Sequence, residues 1–129
     1  MRLTRGEGWR LLRAQLGWTM VDMAKSMRIS EDRLRRWEKD REPAPMPAET
    51  SAGITDGQIC RVYRLRLGWG LQHAADRMGI SRMTMWKAEH DRTSGVRRVK
   101  AWYDRRGHPR PRAATPVNVY IASRNPDRV

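Results

Sequence analysis

The chain has 129 residues, with 27 Lys and Arg against 14 Asp and Glu, a formal net charge of +13 and no Phe. That length allows one domain or two very small ones with a modest core, which excludes doubly wound sheets and closed βα barrels. Of the 27 basic residues 23 are Arg, whose fork matches phosphate oxygens and guanine edges, so an anionic partner is expected, with nucleic acid ahead of an acidic membrane surface.

In chain order, the start Met1-Arg2-Leu3-Thr4 has no apolar run behind it, and no later stretch approaches the roughly 20 apolar residues of a membrane helix. A cytoplasmic protein with no membrane partner is expected, and the single Cys60 fits a reducing compartment. The first helix opens on a capping-box pattern, Thr4-x-x-Glu7, and sets Trp9, Leu12 and Leu16 on one inward face. Gly17 supplies the helix-ending residue that tolerates positive φ. A second helix is expected over 19–27, with Met20, Met23, Ala24 and Met27 on one side, and a third from the N-cap Ser30 to about residue 39. Three prolines in the six residues from Glu42 deny that segment a helix, so 43–54 reads as a linker.

Shifting the chain by 51 residues lays 4–41 over 55–92 with 14 of 38 positions identical, where chance gives roughly two or three. The second copy therefore repeats the three helices. It opens on Thr55-x-x-Gln58, turns Cys60, Tyr63 and Leu67 inward, breaks at Gly68, resumes over 70–78, and restarts at Ser81 to about residue 90. A fourth helix is expected over 94–106, with Val96, Val99 and Trp102 facing inward and Tyr103 a further candidate. Gly107-His-Pro-Arg-Pro-Arg112 ends it, and 116–122 alternates like one short strand. A lone strand needs a partner, which a homodimer would supply. The expected organisation is an all-α chain with a first unit over 1–42, the linker 43–54, a second unit with its extra helix over 55–106, and a basic tail over 107–129.

Two helices of about eight residues joined by a tight turn and packed on a preceding helix form the geometry of a helix-turn-helix. The spacing is met twice: a small residue at the crossing (Ala24, Ala75), a turn residue (Arg28, Gly79), and apolar anchors for the reading helix (Leu34 and Trp37, Met85 and Ala88). The pattern Ile29-Ser30-x-x-x-Leu34-x-x-Trp37-Glu38-x-Asp40-Arg41-x-Pro43 resembles the lambda-repressor/Cro-like helix-turn-helix family of phage and bacterial transcription regulators. Gly79-Ile80-Ser81-x-x-x-Met85-x-x-Ala88-Glu89-x-Asp91-Arg92 is similar to it too.

The resemblance implies base contacts from the first turns of each third helix: Glu31, Asp32, Arg33 and Arg36 in the first copy, and Arg82, Met83, Thr84 and Lys87 in the second. Arg pairs with guanine, Asp or Glu accepts from cytosine, and Met or Thr methyl groups meet thymine. It also implies a phosphate contact from Thr19 at the start of the second helix, a need that Gly70 and Leu71 do not meet in the second copy; Ser30, Arg35 and Arg41, then Ser81 and Arg92, are further phosphate candidates. The chain departs from the family at Arg28, a turn position that favours glycine, and at the Glu31-Asp32 pair, which repels phosphate. The first copy also has only proline-rich chain where the family adds two helices, so it must borrow core from the second copy or a partner.

Bland readings stand beside these. Trp9, Trp37 and Trp102 read as core, and Trp18 and Trp69 as plugs between first and second helices. Trp86, on an outward position, packs on the backbone, covers a partner surface, or marks a rotated helix. Met20, Met23, Met27, Met78 and Met85 read as core filler, Cys60 as a small buried apolar residue, and Glu38 and Glu89 as acceptors for their own unit's backbone or for an Arg such as Arg13 or Arg64. His73, His90 and His108 lack metal spacing. No phosphate loop, nucleophile elbow or metal-binding helix is present, so no enzyme activity, cofactor or small-molecule substrate is expected. The most basic part is 93–129, at +7. Its Arg105, Arg106, Arg110 and Arg112 form either a solvated extension or an arm along phosphates or the minor groove. These features lead to a sequence-specific binder of double-stranded DNA. The competing class is a protein-interaction module, such as an antitoxin or a host-factor-binding phage protein, with the second unit used for packing. RNA binding through the tail has no stacking motif behind it.

Overall fold

A computed structural model describes residues 1–48 and 53–124. These residues are mostly helical, with one small sheet, in the order β1 (Arg2–Thr4), α1 (Arg5–Leu16), α2 (Met20–Met27), α3 (Glu31–Glu38), α4 (Asp56–Arg66), α5 (Leu71–Met78), α6 (Arg82–Glu89), α7 (Val96–Arg105) and β2 (Val119–Ile121). The chain divides into two compact units, one built on Met1–Gly53 with Ala113–Ser123 and the other on Ile54–Arg112 with Arg124. Among the described residues no helix is long and apolar enough to cross a membrane.

In the first unit, Thr4 accepts from the Glu7 N–H while the Glu7 carboxylate accepts from the Thr4 N–H, the reciprocal cap expected from the sequence. Gly17 ends α1 at φ 68°. Thr19 and Asp22 form a second capping box at the start of α2. At its end Arg28 takes φ 57° and ψ 43°, the same left-handed turn that Gly79 makes after α5 at φ 71° and ψ 31°. The turn that departs from glycine therefore keeps the glycine shape and is strained, by roughly 1 kcal/mol for a residue with a Cβ. Trp9, Leu12, Met23, Ala24, Leu34 and Trp37 meet in the core, with Met20, Met27 and Ile29 at its rim.

Two segments expected to lie outside the first unit, part of the linker and the strand of the tail, belong to it. Ala44 and Pro47 are buried, Trp9 Nε1 donates to the Pro45 carbonyl at 2.9 Å, and Arg5 donates to the Ala44 carbonyl at 3.0 Å. The proline-rich stretch over 43–48 is thus a wall of the unit, while 49–52 of the expected linker lie outside the described residues. The strand expected near 116–122 does form. Its partner is β1 of the same chain, antiparallel, with Arg2 opposite Ile121, Leu3 opposite Tyr120 and Thr4 opposite Val119. The need that suggested a second copy is met within the chain, and the basic tail is not one free extension. Gly8 makes this possible: a Cβ there would sit 2.1 Å from the Tyr120 hydroxyl.

The second unit repeats the three helices and adds α7, which packs on α4 and α6. Cys60 and Ala88, both fully buried, stand where the first unit has Trp9 and Trp37, whose rings lie 5.4 Å apart. In the first unit the two indoles pack with Ala44, whereas in the second α7 lies against α4 and α6. Tyr103, 1% exposed, is the deepest side chain of α7, with its ring 5.4 Å from Tyr63, whereas Trp102 is only half-buried. α7 is therefore turned so that Tyr103 rather than Trp102 points to the core. Burial raises the Cys60 thiol and the Tyr103 phenol well above their usual ranges.

Two inward expectations fail. Leu16 is 43% exposed and Trp18 is 37% exposed. The equivalent Trp69 is half-buried, covered by His73 (ring centroids 5.1 Å), Trp102 (5.9 Å) and the Arg77 guanidinium (5.5 Å). Among the described residues the first unit has no counterpart of α7 to cover Trp18.

The repeat identities hold each unit shut. Asp40, at φ 54°, accepts from the Thr4 hydroxyl and, at 2.9 Å, from the Gly6 N–H; Asp91, at φ 56°, does the same for Thr55 and Gly57. A Cβ at Gly6 would lie 2.4 Å from the Trp37 carbonyl, and one at Gly57 2.6 Å from the Ala88 carbonyl. The buried Glu38 takes two bonds from Arg13 (2.9 and 3.1 Å) and the buried Glu89 two from Arg64 (2.6 and 2.9 Å), as the sequence suggested.

Candidate nucleic-acid interface

Each unit presents one helix with a divided surface. α3 buries Leu34, Trp37 and Glu38 and turns out Asp32, Arg33, Arg35 and Arg36, with Glu31 half-buried. α6 buries Met85, Ala88 and Glu89 and turns out Arg82, Met83, Thr84 and Lys87. All eight side chains expected to meet bases therefore lie, four and four, on the accessible sides of α3 and α6. Ser30 and Ser81 cap these helices by accepting from the Arg33 and Thr84 N–H groups at 3.1 and 3.0 Å.

The two faces differ in charge. On α3, Arg35 pairs with Asp32 at 2.8 Å and Glu31 at 3.5 Å. Arg33 Nε and Arg36 Nε each donate to one oxygen of Glu42 at 3.1 Å, and the Arg33 guanidinium lies 5.9 Å from the Trp37 ring. Three arginines thus face three carboxylates, and the surface is neutral. On α6, Arg82 and Lys87 are exposed and carry no ion pair among the described residues, because the helix's single carboxylate, Glu89, is buried on Arg64. Thr93 occupies the position that aligns with Glu42.

The residues expected at phosphates separate into groups. Thr19, Ser30 and Ser81 are exposed helix caps, and Thr19 holds Asp22, whose carboxyl the Thr19 N–H keeps below the usual range. Arg41 and Arg92 are exposed just beyond α3 and α6, with Arg92 5.2 Å over the Trp86 ring. Arg35 is engaged on its own helix. In the basic segment, Arg106 lies 3.8 Å over Trp102 and donates to its carbonyl, and Arg112 donates to the Arg66 carbonyl at 3.0 Å. Arg105 and Arg110 are exposed and unpaired among the described residues.

Trp86 is half-buried and stacks on His90 with ring centroids 4.0 Å apart. It packs within its own unit, and α6 keeps the expected orientation, since Met85 and Ala88 are the buried anchors. Glu42 itself carries no motif or helix signal in the sequence, where it stands at the edge of the proline-rich segment. The signal was the helix-ending Asp40: its left-handed backbone folds the chain back along α3. Among the described residues no group of three His, Cys, Asp or Glu is placed to hold a metal ion. Comparison with protein families, characterised proteins and solved structures found no match to this chain.

Proposed function

We propose that this chain binds double-stranded DNA through two groove-reading helices, α3 and α6, each seated by its unit in the helix-turn-helix manner. Within that class, it is a transcription regulator of the phage or bacterial repressor and Cro-like kind. The observation that carries the reading is α6: a basic, carboxylate-free comb of Arg82, Met83, Thr84 and Lys87 on a helix whose other face is anchored at Met85 and Ala88.

Arg82 offers a bidentate edge to guanine O6 and N7, Met83 and Thr84 offer methyl groups to thymine, and Lys87 reaches guanine or phosphate. Thr19, Ser81, Arg41, Arg92, Arg105 and Arg110 supply phosphate contacts that set register and affinity. One chain with two readers suits a two-part site, and occupancy at a promoter blocks or recruits RNA polymerase. As a docking surface for a protein, the same face offers few anchors: Met83 is 60% exposed, but Trp86 is already covered.

The test is binding to a duplex recovered by selection from random-sequence DNA. Arg82→Ala and Lys87→Ala should each cost about 1–3 kcal/mol on that duplex. Full affinity in the Arg82→Ala/Lys87→Ala double variant would reject α6 as a reader.

A further inference from the structure

We propose that Glu42 is a positioning residue of the first reading helix: its carboxylate fixes Arg33 and Arg36 for guanine and weakens their general pull on phosphate. The inference rests on the DNA reading above and adds a division of labour to it, with α6 supplying affinity and α3 supplying discrimination.

Three observations carry it. Each oxygen of Glu42 takes one guanidinium, and both bonds engage Nε (Arg33 on Oε1, Arg36 on Oε2). A guanidinium has five N–H donors in a rigid fork, so a bond at Nε sets its plane and still leaves terminal N–H groups for a base edge. Second, the two arginines remain about half exposed while Glu42 is 25% exposed, so the clamp lies beneath groups that solvent still reaches. Third, the repeat supplies its own control. The copy with two arginines has the carboxylate, and the copy with Thr84 and Lys87 at those positions has Thr93 in its place.

Exposed ion pairs of this kind add little to folding. Their consequence is geometric and electrostatic. Held arginines have less rotamer freedom left to lose on meeting a base. A carboxylate beside them cancels one positive charge, which weakens attraction to every phosphate alike and leaves guanine geometry as the main source of binding. Free arginines would do the reverse, gripping any duplex.

The experiment uses the full-length protein. A duplex is selected from a random library with the wild-type chain, and a scrambled duplex of the same composition serves as the reference. Both are titrated with wild type, Glu42→Gln, Arg33→Ala/Arg36→Ala and the triple variant over a range of salt. Glu42→Gln is expected to lower the ratio of selected to scrambled affinity by about tenfold. It should also tighten scrambled binding with a salt slope steeper by roughly 0.9. Both effects should vanish in the Arg33→Ala/Arg36→Ala background. A Glu42→Gln variant that shifts both duplexes equally, or shifts neither, overturns the proposal while leaving α6 as a reader. A wild-type chain that binds no duplex overturns the DNA reading itself, and this inference with it. In the free protein, slow exchange of the Arg33 and Arg36 Nε–H protons should be lost in Glu42→Gln; exchange that is fast in wild type also rejects the clamp.

Discussion

Glu89→Ala isolates the energetic core of the second unit. The Glu89 side chain is 2% exposed and Arg64 is 12% exposed, so removing the carboxylate strands a guanidinium with little access to water. Loss of one partner of a buried pair costs about 3–5 kcal/mol. Arg64 keeps one bond, to the Trp69 carbonyl at 3.0 Å, which places the expected loss near the lower end, about 3 kcal/mol. The matching change in the first unit, Glu38→Ala, should cost less, about 2 kcal/mol, because Arg13 is 23% exposed and water reaches it. A core this small supplies only about 3–5 kcal/mol, so Glu89→Ala brings its unit to the edge of unfolding. The assay is urea unfolding followed by the indole N–H signals of Trp69, Trp86 and Trp102 against those of Trp9, Trp18 and Trp37. A slope near 1 kcal/mol per molar urea turns the loss into a midpoint shift of about 3 M for the first set. A shift under about 1 M would refute the reasoning, since Arg64 would then have found water or another partner.

Two further outcomes follow from single groups. The Tyr103 hydroxyl is buried without a hydrogen-bond partner among the described residues, so Tyr103→Phe should raise the stability of the second unit by up to about 1 kcal/mol; a loss in the same urea titration would reveal a bond to that oxygen. Asp22 is held below its ordinary value of 3.8, first by the Thr19 N–H and then by the Thr19 hydroxyl. Its support of α2 is therefore present above that value and is lost as the pH falls through the lower folded-state pKa. Carbon NMR of the Asp22 carboxyl should give a midpoint below 3.8, and one at or above it would contradict the cap.

The helices were legible because their punctuation is local. Thr4, Thr19, Ser30, Thr55 and Ser81 cap the helices they precede, and Gly17 and Gly79 close helices in left-handed turns. That Glu38 and Glu89 accept hydrogen bonds inside their own units was legible from the repeat, and the structure selects Arg13 and Arg64 over the backbone as donors. What escaped depends on distance along the chain. β1 is three residues long and runs straight into a helix cap, so no periodicity marks it, and its partner lies more than 100 residues away. The covering of Trp69 depends on Trp102 of α7, a helix that follows the second copy alone, while Trp18 stays exposed. In the candidate interface the exposure of the side chains on α3 and α6 was legible, because it follows from helix phase. Their charge state was not, because the Glu42 clamp closes only after Asp40 turns the chain back.

The central claim, that α3 and α6 read base edges in the major groove, is tested most directly by methylating guanine N7 in the selected duplex and mapping where methylation blocks binding. Two separate clusters of interfering guanines are expected, one relieved in Arg82→Ala/Lys87→Ala and the other in Arg33→Ala/Arg36→Ala. Binding that tolerates N7 methylation throughout the site would contradict the account, because no arginine could then be paired with a guanine in that groove.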